Sequence, residues 1–113
     1  MGHVEPLELK SLEDFELILK ASENEAVFIF KHSVRCPISL RSYKSLVPNW
    51  RNKGPKLELY VLDLLARRNL SDVISEKLKV PHESPQLIQI VNGKAVLVFN
   101  HFDVLLENVL SAV

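Results

Sequence analysis

The chain has 113 residues, 47% apolar and 25% charged, and its 14 basic side chains balance 14 acidic ones. That length suits one domain, residues 1–113, able to bury a core without disulfide or metal staples, and the balanced charge excludes the basic excess of a nucleic-acid binder. A single cysteine, Cys36, excludes an internal disulfide and with it the secreted disulfide scaffolds.

Residues 1–10 contain no apolar h-region, and Pro6 stands where a myristoylation site wants Ser or Thr. No apolar run approaches the roughly 20 residues that span a bilayer. The expectation is a cytoplasmic protein, monomer or weak dimer, with no membrane or nucleic-acid partner.

Val4 to Leu9 is short and mixed, an edge strand at most. Ser11 is a good helix N-cap, with Glu13 and Asp14 in the first turn where negative charge suits the dipole. Leu12, Phe15, Ile18 and Leu19 follow at helical spacing. After the polar break Ser22-Glu23-Asn24-Glu25, the run Ala26 to Phe30 reads as a strand covered on both faces. Pro37, directly after Cys36, fits a first helical turn. Leu40, Tyr43, Leu46, Val47 and Trp50 form that helix's apolar face, and Pro48 should kink the helix or end it near Val47.

Asn52-Lys53-Gly54-Pro55 reads as a turn, and Leu57 to Leu62 as a strand with Asp63 at its end. A third helix is expected over Asn69 to Lys79, capped by Asn69 or Ser71, with Leu70, Val73, Ile74 and Leu78 inward. Val80 to Pro85 is an irregular loop. Gln86 to Val91 and Lys94 to Phe99 flank Asn92-Gly93, the strongest short hairpin signal. Asp103 would cap a last helix bearing Leu105, Leu106, Val109 and Leu110. The order β-α-β-α-β-α-β-β-α predicts an α/β fold: a mixed central sheet with helices on both faces.

In such a sheet, three stretches meet at one edge: the loop His32 to Ser39, the loop His82 to Pro85, and His101 after the last strand. The thiol then sits at a helix N-terminus, where the positive dipole end favours an anion. A free cysteine titrates at about 8.5, and such positions or nearby cations lower that to roughly 3.5–7.5. Lys31, His32 and Arg35 are the nearby cations in sequence. A thiolate attacks disulfides through a mixed-disulfide intermediate. The motif reads C-P-I-S, so Ser39 replaces the second cysteine of a C-x-x-C pair and any redox cycle needs an external thiol. Ser39 suits either a plain first-turn residue or a weak donor to the sulfur.

His3, His32, His82 and His101 show no i, i+4 pair and no Cys-His zinc spacing, so no metal site is expected. His32 and His101 read as supporting groups around the thiol or as satisfied polar residues at the sheet edge. Asp63 reads as a strand-end turn residue, with influence on a buried proton path as the sharper alternative.

F-K-H-S-V-R-C-P-I-S at 30–39, V-L-D-L at 61–64 and H-E-S-P-Q at 82–86, with Asn92-Gly93 and His101-Phe102-Asp103, together resemble the monothiol bacilliredoxins of the thioredoxin superfamily. Val34 stands where that family commonly has threonine. The resemblance implies a thioredoxin-like fold and a cis Ser84–Pro85 bond opposite the thiol, in a loop that pairs with substrate backbone. It also implies no bound cofactor, with bacillithiol as co-substrate and bacillithiolated proteins as clients. Cys36 would be the catalytic nucleophile, neighboured by His32, Arg35, Pro37 and Ser39, with Ser84, Pro85 and His101 forming the substrate-binding loop. Two rivals remain at this point: a redox-inactive binding module that uses the Cys36–Pro85 groove, and a glutaredoxin-like protein using another small thiol.

Overall fold

The computed structural model describes residues 5–112. Val4, where the first strand was expected to begin, and His3 lie outside them. Five strands, β1 (Leu7–Glu8), β2 (Val27–His32), β3 (Glu58–Asp63), β4 (Gln86–Val91) and β5 (Lys94–Asn100), form one sheet in the order β1-β3-β2-β4-β5. β1 and β2 run parallel to β3, and β4 is antiparallel to both β2 and β5. The helices are α1 (Leu12–Ala21), α2 (Pro37–Lys53), α3 (Arg68–Leu78) and α4 (Leu106–Ala112).

Alternation along the strands divides the core in two. Val27 and Ile29 of β2, with Ile88 and Ile90 of β4, face Phe15 and Ile18 of α1 and Ile74 and Leu78 of α3. Phe28 and Phe30 point the other way, toward Leu46 and Trp50 of α2 and Val109 of α4. Because β2 is covered on both faces, burial extends past the expected end at Phe30 through Lys31 and His32.

Local chemistry explains most of the ends. Ser11 Oγ accepts from Asp14 N at 3.1 Å, the N-cap read from sequence. Asn92 and Gly93 both adopt positive φ, as a two-residue hairpin turn requires. That turn is anchored from a distance, because Ser22 Oγ accepts from Gly93 N and Ser22 O from Asn92 N, each at 2.8 Å.

Four expectations are corrected. α2 does not end near Val47, one of the two outcomes expected of Pro48, but continues to Lys53, taking in the first half of the expected Asn52 to Pro55 turn. Proline leaves Lys44 O without its helical donor, and Asn49 Nδ2 takes that role at 3.4 Å while also donating to Ser45 O at 3.0 Å. α3 is capped by neither Asn69 nor Ser71: it starts at Arg68, because a turn held by Arg67 N donating to Asp63 O leads straight into it. Its Val73 is exposed, as are Leu12, Leu40 and Leu110 on the other helices. Asp103 lies in a 3-10 turn (His101–Asp103), and α4 starts later, with Ser45 Oγ of α2 accepting from Leu106 N at 2.9 Å.

Candidate active site

Cys36 is the N-cap of α2, half-buried and unpaired, with extended backbone and Pro37 in the first helical turn. Its N–H donates to Ser33 O at 3.2 Å, closing the turn Ser33 to Cys36, and its C=O accepts from Leu40 N at 2.9 Å, the first helical bond. The thiol therefore stands at the positive end of a 17-residue helix. Val34, Arg35 and Pro37 around it are exposed.

Ser39, fully buried, does not serve the sulfur. Its Oγ accepts from Ser33 N at 2.9 Å and lies 2.7 Å from His32 Nδ1. The hydroxyl proton is then free to point at Nδ1, which suits a neutral imidazole. His32 is buried, with its ring 4.7 Å from Tyr43 and 5.5 Å from Phe30. Burial holds its pKa below the ordinary histidine value, against the opposing pull of Asp63 and the Ser39 hydrogen bond. Asp63 pairs with His32 across β2 and β3, and its Oδ1 accepts from Leu65 N and Ala66 N at 3.0 and 3.3 Å. It thus forms the strand-end turn and also acts on the histidine.

The sheet brings the second stretch to the same edge, since Lys31 pairs with Gln86 at the start of β4. Ser84–Pro85 is cis. Among the described residues neither the N–H nor the C=O of Ser84 has a backbone hydrogen-bond partner, and its buried Oγ has none either. Pro85 O accepts from His101 N at 2.8 Å, and His101 Nε2 lies 2.7 Å from Glu83 Oε1. His101 therefore braces the cis-proline loop, with its own ring exposed on the side of Glu83.

Sequence reasoning passed over Lys31 as a site residue. It is fully buried, and its Nζ donates to Ser75 Oγ at 2.7 Å and Ser71 O at 3.1 Å. Desolvation lowers its pKa from 10.5 to about 8, with Asp72 partly opposing. The readable signal was Ser71 and Ser75, one turn apart on the inward face of α3 among Ile74 and Leu78. His82 Nδ1 lies 3.4 Å from Ser71 Oγ. Burial and then Lys31 depress its pKa, Arg68 adding to them and Asp72 and Glu83 opposing. Two recesses flank the thiol loop. A groove of about 500 Å³ on the α2 side includes Val34, Leu40, Tyr43 and Val61. A cleft of about 300 Å³ on the α3 side includes Ser33, Arg68, His82 and Ser84.

Cys36 at a helix N-terminus and the cis Ser84–Pro85 bond thus lie at one edge of the sheet. A solved structure described by its thioredoxin fold and a suggested oxidoreductase role is 34% identical, with a TM-score of 0.81 over 95% of this chain and 92% of that one. The thioredoxin of Malassezia sympodialis (12% identical, TM-score 0.73, 97% and 88% covered) shares the fold. So does that of Schistosoma mansoni (21%, 0.64, 88% and 89%). No helix among the described residues is long and apolar enough to cross a membrane. The family model described as Monothiol bacilliredoxin BrxC matches residues 7–109. The chain belongs to the monothiol bacilliredoxin family, thioredoxin-fold oxidoreductases that work through one cysteine, here Cys36, with bacillithiol as co-substrate.

Proposed function

We propose that Cys36 removes bacillithiol from mixed disulfides on client proteins. The Cys36 thiolate attacks the bacillithiol sulfur of the mixed disulfide. A Cys36–bacillithiol disulfide forms, the client S–S bond breaks, and the client sulfur leaves as a thiolate that takes a proton from water. A second bacillithiol thiolate then attacks the adduct, giving bacillithiol disulfide and free Cys36. The oxidising equivalent thus passes from client to bacillithiol.

One observation carries this reading. The residue that would resolve the adduct internally is Ser39, whose hydroxyl is held by His32 and Ser33, and the chain has no second cysteine. The backbone of Ser84, without a hydrogen-bond partner among the described residues, supports a role in pairing with an extended substrate beside the sulfur, in the manner of strand addition. His101 and Glu83 hold that loop, while Arg35 and Pro37 frame the thiol. A monomer or weak dimer in the cytoplasm, where thiols are kept reduced, suits the chemistry. The test is intact mass after exposure to the disulfides of bacillithiol, glutathione and coenzyme A. The expected result is a bacillithiol adduct mapped to Cys36 that forms fastest of the three. Preferential reaction with glutathione or coenzyme A would overturn the choice of thiol.

A further inference from the structure

We propose that the cleft on the α3 side of the thiol loop receives the anionic, hydrogen-bonding portion of the small thiol, so that Cys36 reacts preferentially with negatively charged small disulfides. The proposal rests on the thiol-exchange reading of Cys36 and adds where the remainder of the small thiol sits.

Two walls of this cleft belong to the frame of the thiol itself. Ser33 closes the turn that ends at Cys36, and Ser84 precedes the cis proline. The cleft therefore adjoins the sulfur rather than lying on a remote face. Its other walls are Arg68, Ser71, Asp72 and His82. Arg68 is exposed and enters no ion pair with a described residue, leaving its guanidinium fork open to a carboxylate. Behind Ser71 lies the fully buried amine of Lys31, whose charge is less screened there than it would be at the surface. Ser84 Oγ, buried without a partner among the described residues, gains one when a ligand offers a polar group. Among the described residues Asp72 is the one carboxylate of the lining and Arg68 its matching cation, and the buried Lys31 amine behind Ser71 adds a second positive charge. The groove on the opposite side sets Glu8 and Asp63 beside Val34, Leu40, Val47 and Val61, so its charged lining is carboxylate and disfavours an anion.

The step that reads out this preference is simple exchange. Cys36 thiolate attacks a symmetric disulfide, forms the Cys36 mixed disulfide, and releases one thiolate. Rates are measured by intact mass with 3,3′-dithiodipropionate, which is anionic, and hydroxyethyl disulfide, which is neutral. Arg68→Ala should lower the anionic-to-neutral rate ratio about tenfold, the scale of one charge-assisted contact. Lys77→Ala, one cation removed from the last turn of the same helix, should leave the ratio near wild type. An unchanged ratio in Arg68→Ala, or an equal fall in Lys77→Ala, would overturn the cleft as the site. Failure of the co-substrate reading looks different: wild-type protein would show the charge preference with the synthetic disulfides, and Arg68→Ala would lose it, yet oxidised bacillithiol would form no adduct.

Discussion

Ser39 Oγ sits 2.7 Å from His32 Nδ1, so the first turn of α2 is fastened to the end of β2 directly beneath the thiol loop. The same oxygen accepts from Ser33 N, and both contacts are buried or partly so. Ser39→Ala removes the partner of two polar groups at once, and should destabilise the protein by about 1–3 kcal/mol in denaturant unfolding. A loss below about 0.5 kcal/mol would mean that water replaces the hydroxyl.

His32 and His82 are both held below the ordinary histidine value of 6.5, in each case chiefly by burial. As pH falls below about 6.5, the unfolded chain takes up protons before the folded one does. Stability is therefore fully present above 6.5 and declines as pH falls toward the folded values. His32→Phe should flatten part of that decline in thermal melts between pH 7 and 5, and adding His82→Gln should flatten more. An undiminished acid slope in the double variant would assign it to other groups.

Lys31 is a buried ammonium whose pKa is lowered from 10.5 to about 8. Below about 8 both states are protonated, and the cost of burying the charge is fully present. Between about 8 and 10.5 the unfolded chain binds more protons, so stability rises with pH. Lys31→Met should abolish that rise and gain on the order of 1–3 kcal/mol at pH 7. A large loss at pH 7 would show that the bonds to Ser71 and Ser75 outweigh desolvation.

Gly54 follows α2 with φ of −80°, a conformation open to any residue, so its role is space. A Cβ there would lie 2.7 Å from Trp50 O and 3.1 Å from the indole ring. Gly54→Ala should cost about 1–3 kcal/mol by forcing Trp50 out of place, with a shift in Trp50 fluorescence. Unaltered emission and stability would show that the chain after α2 yields instead.

The strand and helix order, the hairpin and the meeting of three loops at one sheet edge were legible in the sequence, because alternation and turn residues encode them locally. What was not legible depended on distant or compensating groups. Pro48 stays helical because Asn49 lends a side-chain donor. α4 starts where Ser45, 61 residues away, accepts from Leu106. Lys31 reads only as a cation near the thiol in sequence until β2 is seen to be covered through His32 and the α3 serines to face it. The bond between Ser39 and His32 needed the loop in three dimensions, since seven positions separate the two residues.

The most direct test of the account is release of bacillithiol from a bacillithiolated client protein, followed by mass spectrometry with wild-type protein and with Cys36→Ala. Wild type should free the client and carry the bacillithiol mass on Cys36, and added bacillithiol should then discharge it. The Cys36→Ala protein should fold normally and release nothing. Release that persists in Cys36→Ala would contradict the claim that this one sulfur performs the exchange.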